Sequence, residues 1–93
     1  LEVEPSSAAT MQYVGYIHIV RGRPREAVEI YLRAVEIEPA NPQYHVNLAR
    51  AFVAYADIES AKRHIEAARS IDQRVPENIL ESLQKEIAAL QAR

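Results

Sequence analysis

The sequence repeats itself at a fixed spacing, and this spacing is the strongest constraint on the fold of the chain. Residues 1–5 read LEVEP, and residues 35–39 read VEIEP. The same offset pairs similar residues elsewhere: Val14 with Leu48, Gly15 with Ala49, Ala27 with Ala61, Tyr31 with Ile65, Ala34 with Ala68, Ile37 with Ile71, and Pro42 with Pro76. A fixed period of this length predicts stacked copies of one supersecondary unit. The function of such a stack is expected to lie on a surface, not in an enzyme active site.

Composition narrows the class of protein further. A length of 93 residues allows one compact domain, and a net charge of −2 argues against general nucleic-acid binding, which needs a basic face. No apolar run is long enough to span a bilayer, so we expect no direct insertion into a membrane. Cysteine is absent, which excludes disulfides and thiolate metal sites but does not fix the compartment. Only two glycines are present, and the chain is rich in strong helix formers.

Local signals divide the chain into five predicted helices. Serine, asparagine and aspartate cap helix starts, proline suits a first turn, and glycine tolerates the left-handed geometry of a helix end. In chain order, the signals are Ser6 or Ser7 and Gly22 for the first helix, Pro24 and Pro39 for the second, Asn41 and Pro42 for the third, Asp57 for the fourth, and Pro76 for the fifth, which runs to Gln91.

Apolar residues at helical spacing predict the buried face of each helix. They are Met11, Val14, Ile17 or His18, and Ile19; Ala27, Val28, Tyr31, Ala34, Val35 and Ile37; Val46, Leu48, Ala49, Phe52 and Val53; Ile58, Ala61, Ile65, Ala68 and Ile71; and Ile79, Leu83, Ile87 and Leu90. The stripe of the fifth helix is narrow, with charge opposite to it. That pattern is typical of a terminal helix that shields the end of a stack from water.

The two copies resemble the tetratricopeptide repeat, whose pattern is W-x2-L-G-x2-Y, then A-x3-F, then P, with a period of about 34 residues. The first copy reads Met11-x2-Val14-Gly15-x2-His18, Ala27-x3-Tyr31, Ala34 and Pro39; the second reads His45-x2-Leu48-Ala49-x2-Phe52, Ala61-x3-Ile65, Ala68 and Gln73. The tryptophan slots, one tyrosine slot and the second closing proline depart from the pattern. The resemblance implies an all-α solenoid of antiparallel helix pairs.

The repeat also sets the expected domain organisation. Residues 1–5 are predicted to be the tail of a preceding repeat, 6–40 and 41–74 two full repeats, and 75–93 a C-terminal capping helix. Because the first five residues match the end of a repeat, we expect the chain to be a piece of a larger repeat protein.

The resemblance also implies where a partner would bind, since the first helix of each pair lines the concave face in this family. The implied surface is Ala9, Gln12, Tyr13, Tyr16, Ile19 and Val20, then Gln43, Val46, Asn47, Arg50, Val53 and Ala54, then Glu77, Leu80, Glu81 and Gln84. The predicted partner-binding residues are Gln12, Tyr13, Tyr16, Gln43, Asn47 and Arg50. Aromatic faces bury area at low entropic cost, and amides can bond an extended backbone. The alternative, that Tyr13 and Tyr16 pack against a preceding repeat, stays equally open.

Some similar proteins grip the C-terminal carboxylate of a chaperone with a clamp of Lys, Asn, Asn, Lys and Arg. Of those five slots only Asn47 matches, while Gln12 and Tyr16 fill two others. Glu77 and Glu81 stand where the last two cations would be, and they should repel a carboxylate. The sequence therefore disfavours binding of a chaperone tail.

Neither a metal site nor a catalytic site is predicted. His18, His45 and His64 lack three- or four-residue pairing, and no cysteine supports them, so packing is the favoured role. No Gly-rich phosphate loop, nucleophile elbow or HExxH motif is present, and we expect no cofactor.

These observations favour a non-catalytic protein–protein interaction module that binds a peptide or protein segment on its concave face. One alternative is a structural module that mediates stacking or self-association, forming a homodimer through the edge at residues 1–9. Another is an accessory domain of an enzyme or an export machine. The identity of the partner and the compartment do not follow from the sequence.

Overall fold

The chain folds into five helices over the part that the computed structural model describes, residues 7–72 and 77–92, with side chains in the last helix from residue 81 onward. They are α1 (Ala8–Val20), α2 (Pro24–Ile37), α3 (Pro42–Ala54), α4 (Ile58–Ile71) and α5 (Glu77–Gln91). No strand occurs in those residues, which confirms the all-α prediction. The predicted tail at 1–5, the signals at Ser6, Gln73 and Pro76, and the side chain of Ile79 lie outside the described residues.

The helices begin where the capping signals predicted. Side-chain oxygens of Ser7, Asn41 and Asp57 accept hydrogen bonds from backbone N–H groups of the first turn, at 3.2, 3.0 and 3.2 Å. Pro24 and Pro42 occupy the first position of α2 and α3, where a missing N–H costs no hydrogen bond. Local side-chain chemistry therefore fixes the start of α1 to α4.

The turn within each helix pair has the same backbone geometry in both copies. Gly22 has φ +71°, as predicted for a left-handed helix end, and Ala56 adopts φ +64° at the equivalent place in the second repeat. Backbone N–H groups of residues 21, 22 and 23 donate to the carbonyls of 17, 19 and 18, and those of 55, 56 and 57 donate to 51, 53 and 52. The two turns thus share the same backbone hydrogen bonds, although one has glycine and the other alanine at the left-handed position.

Neighbouring helices pack in chain order, α1 on α2, α2 on α3, and α3 on α4, while α1 and α5 also contact α3. The core contains both the small and the large residues that the repeat pattern predicted. The small residues Ala27, Ala34, Ala49, Ala61 and Ala68 are each 0% exposed, and the large residues Met11, Tyr31, Leu48, Phe52, Ile65, Leu83 and Ile87 are buried. Helices α1, α3 and α5 therefore form one continuous side of the stack.

The structure decides one open position of the predicted faces and corrects two others. His18 is half-buried whereas Ile17 is 47% exposed, so His18 takes the inward slot that the sequence left undecided. Ile37 and Ile71 were expected to be buried, but they are 53% and 38% exposed. Both are the last residue of their helix, beyond the last buried alanine of each stripe.

Helices α1 and α2 approach each other closely at Gly15. A Cβ atom placed on Gly15 would lie 2.6 Å from Cζ and 2.8 Å from Cδ1 of Tyr31, well inside van der Waals contact. The Tyr31 ring, only 4% exposed, occupies the space that a side chain on Gly15 would need. This contact confirms the predicted packing role of the small residue in that slot.

Candidate functional site

The six predicted partner-binding residues lie on α1 and α3, which run side by side. Tyr13 and Tyr16 are 75% and 64% exposed. Gln43 and Arg50 are also exposed, whereas Gln12 and Asn47 are half-buried. The six residues thus differ in how much of each side chain could meet a partner.

Three amide side chains form a hydrogen-bonded chain that connects the two helices. Gln43 Nε2 donates to Asn47 Oδ1 at 3.1 Å, Asn47 Nδ2 donates to Gln12 Oε1, and Gln12 Nε2 donates to the Ala8 carbonyl at 3.4 Å. Because a carbonyl only accepts, the last bond fixes the orientation of every amide before it. Both polar atoms of Asn47 are therefore engaged, and these amides brace α1 against α3.

A buried phenol lies beneath this surface. The Tyr31 hydroxyl reaches from α2 to within 3.5 Å of the Gln12 carbonyl oxygen, at the long limit of a hydrogen bond. Burial raises the pKa of Tyr31, the Arg50 cation opposes that rise, and Tyr16 adds to it. Sequence reasoning assigned Tyr31 to packing alone. The small residue Gly15 on α1 was the signal that a large side chain of α2 could reach across to α1.

A cleft between α3 and α5 continues the surface toward the C-terminal end. Its volume is about 340 Å³, and it is lined by Ile19, Arg50, Val53, Ala54, Ser82, Leu83 and Glu86. A second cleft of about 350 Å³ shares Val53, Ala54 and Glu86 with the first and extends to Ala89 and Leu90. The two together form one groove, hereafter the α3–α5 groove, with an apolar floor.

Charged side chains of opposite sign stand on the wall of this groove. Arg50 projects from α3 and Glu86 from α5, and both are exposed. In the described parts of the chain the ion pairs join Arg25 to Glu29 and Arg69 to Glu66, so neither groove residue is part of them. An apolar floor bordered by a cation and an anion that have no ion-pair partner among the described residues is suited to a ligand that is itself amphipathic.

The described part of α5 places other residues in the groove than the sequence predicted. Ser82, Leu83 and Glu86 line it, whereas Gln84 lies in a separate cleft of about 360 Å³ between α4 and α5. Glu81 is exposed. The side chains of Glu77 and Leu80 lie outside the described residues.

The histidines form a contact that sequence spacing did not reveal. Nδ1 of His45 on α3 lies 3.1 Å from Nδ1 of His64 on α4, and Nε2 of His45 lies 2.8 Å from the Pro39 carbonyl oxygen. Nδ1 of His18 is buried without a hydrogen-bond partner among the described residues. In this same part of the chain, no three or more His, Cys, Asp or Glu side chains are placed to hold a metal ion.

None of the described helices combines the length and the apolarity that crossing a bilayer requires. A family model described as tetratricopeptide repeat matches residues 19–93, which are 75 of the 93 residues. The comparison with curated proteins gives no match.

Proposed function

The chain belongs to the tetratricopeptide repeat family, and from this premise we propose that it is a non-catalytic module that binds a peptide or protein segment on the face formed by α1, α3 and α5. Repeats of this family generally mediate protein–protein interaction. In this proposal residues 6–40 and 41–74 are the two repeats and residues 75–93 cap the stack. Leu83 and Ile87 are buried and Leu90 is half-buried, while the other described side chains of α5 are exposed, and this one-sided burial supports the capping role.

The α3–α5 groove is the observation that carries the proposal. Its floor offers Ile19, Val53 and Leu83 to an apolar side chain of the partner. Arg50 and Glu86 can each meet an opposite charge, and such rim contacts steer the approach and fix the direction of the bound segment. Tyr16, exposed on α1, adds an aromatic surface next to the amide chain.

The six partner-binding residues of the sequence prediction divide into two roles in this proposal. Gln12, Gln43 and Asn47 hold α1 and α3 at a fixed separation, since their amides bond one another. Tyr13, Tyr16 and Arg50 contact the partner, because their side chains are exposed.

A substitution that fills the groove tests the proposal. Ala54 is exposed and lines both clefts, so Ala54→Arg places a long side chain in the groove without disturbing the core. Peptides selected from a random display library on the 93-residue chain are then titrated against both proteins by fluorescence anisotropy. We expect Ala54→Arg to weaken binding by about tenfold or more, which corresponds to about 1.4 kcal/mol.

The matched control is Ala88→Arg, which makes the same change on an exposed residue of the α4–α5 cleft. This variant should bind the selected peptides as the unmodified chain does. A library that yields no enriched peptide, or peptides lost only in Ala88→Arg, would show that the α3–α5 groove is not the binding surface.

A second candidate function is self-association through α1, which the composition of that helix favours. Tyr13, Tyr16, Ile17 and Val20 are exposed by 75%, 64%, 47% and 66%, although an apolar helix is normally covered. Sedimentation across a concentration series tests this candidate. A dimer that Val20→Glu abolishes would support assembly, and a monomer at every concentration would exclude it.

A further inference from the structure

The two imidazole rings of His45 and His64 meet edge to edge. Their planes are inclined by 23° and their centres are 5.3 Å apart, while the facing Nδ1 atoms are 3.1 Å apart. The centres are thus much farther apart than the nitrogen atoms, so the rings are not face to face. A hydrogen on one Nδ1 therefore points at the lone pair of the other.

The partner of the remaining nitrogen fixes which ring donates. His45 Nε2 lies 2.8 Å from the Pro39 carbonyl oxygen, and a carbonyl only accepts, so His45 carries its hydrogen on Nε2. Nδ1 of neutral His45 is then an acceptor. The hydrogen of the shared bond must come from Nδ1 of His64.

The surroundings of the pair disfavour positive charge. His45 is 8% exposed, and the His64 ring lies 5.6 Å from the Phe52 ring, centre to centre, with the planes inclined by 13°. Burial lowers the pKa of His64, and His45 and Arg63 lower it further.

The nearby charged groups offer little compensation. On α4, Arg63 donates to the Ser60 hydroxyl at 3.0 Å, and Asp57 accepts from that same residue at the helix start. In the turn before α3, Glu38 interacts with Tyr44. The described part of α5 contributes buried Leu83 and Ile87, while its charged residues from 81 onward are exposed.

We propose that the His45–His64 pair is an acid-sensitive contact that holds α4 and the Pro39 turn to α3 only while at least one ring is neutral. With both rings protonated, two N–H groups and two positive charges would face each other across 3.1 Å. No rotation of His45 relieves this while Nε2 stays bonded to Pro39. Acid therefore breaks the contact between the two rings and weakens the packing of α4 on α3.

The direction of the pH dependence follows from proton linkage. The pKa of His64 lies below 6.5 in the folded chain and returns to its ordinary value on unfolding. The stabilisation is complete above that ordinary value. It is lost as the pH falls toward the folded pKa, because the unfolded chain then binds more protons.

NMR of the unmodified chain labelled with ¹⁵N in histidine tests the hydrogen positions directly. At alkaline pH we expect the Nε2–H tautomer for His45 and the Nδ1–H tautomer for His64. On acidification, unfolding should begin before both rings become protonated in the folded form. An Nε2–H tautomer for His64, or full protonation of both rings without loss of the α3–α4 contact, would overturn the proposal.

A variant comparison supplies the second test. In His64→Gln an amide N–H can still donate to His45, but the side chain no longer titrates. Thermal unfolding between about pH 7 and about pH 5 should show a smaller fall in Tm for His64→Gln than for the unmodified chain. His18→Gln removes a histidine outside the pair, so a fall in Tm that is smaller in His64→Gln than in His18→Gln ties the effect to the pair. Equal pH dependence in His64→Gln and the unmodified chain would contradict the proposal.

Discussion

Gly15→Ala is expected to destabilise the protein, although alanine is the better helix former. In a free helix the substitution would gain about 1 kcal/mol. In this structure the added Cβ would lie 2.6 and 2.8 Å from two ring atoms of Tyr31, whose side chain is buried. Forcing extra volume into a packed contact costs about 1–3 kcal/mol. The net loss should be about 1 kcal/mol, which lowers Tm by roughly 4–8 °C in a domain of this size.

A double-mutant cycle separates the two effects. In a Tyr31→Leu background the ring is gone, so Gly15→Ala should now stabilise the chain by about 1 kcal/mol through helix propensity alone. The effect of one substitution thus changes sign with the background. The swing of about 2 kcal/mol exceeds the few tenths of a kcal/mol expected of independent sites.

The assay is chemical and thermal unfolding of the four proteins of the cycle, followed by circular dichroism. Tyr16, one residue away and exposed, gives the control: the difference between Tyr16→Ala and Tyr16→Gly measures helix propensity in the same helix without the ring contact. If Gly15→Ala changes stability by the same amount in both backgrounds, the close contact between Gly15 and Tyr31 does not limit packing, and the reasoning fails.

Three further substitutions act on the turns and the amide chain, and all are measured by urea unfolding. Gly22→Ala should cost about 1 kcal/mol, since nothing lies within 4 Å of its Cβ and the cost comes from φ +71° alone, while Ala56→Gly should gain a similar amount at φ +64°. Changes of the same sign in these two variants would contradict the shared turn geometry. Asn47→Ala removes both the bond from Gln43 and the bond to Gln12, so we expect a loss of about 1–2 kcal/mol, whereas no loss would mean that the amides do not brace the helices.

Much of the fold could be predicted because its signals are local. The caps at Asn41 and Asp57 and the proline starts at Pro24 and Pro42 act within one helical turn. The left-handed backbone at the end of α1 favours a residue without a Cβ atom, so the glycine at position 22 indicates this helix end in the sequence. The same geometry at Ala56 carried no residue signal, and only its place one full period after Gly22 could have indicated it.

The site was harder to predict because it depends on how helices are rotated against each other. Small and large residues at fixed spacing predicted the core, but spacing cannot tell which face of α5 meets α3. For that reason Glu86 was missed as a groove residue, and Gln84, which was predicted for the concave face, lines the α4–α5 cleft. His45 and His64 lie on different helices and far apart in sequence, so only the packing of α3 on α4 brings them together.

The order of helix contacts also has a consequence for how the chain acquires its structure. Helices α1 to α4 pack chiefly on their neighbours in sequence, whereas α5 packs chiefly on α3, which is two helices before it. No long loop has to close before a stabilising contact can form, so the entropy lost in the rate-limiting step is small. Proteins with such local contacts refold in microseconds to milliseconds. Helix α3, which touches the other four, is the element on which a first helix pair can form and from which order can spread toward both ends.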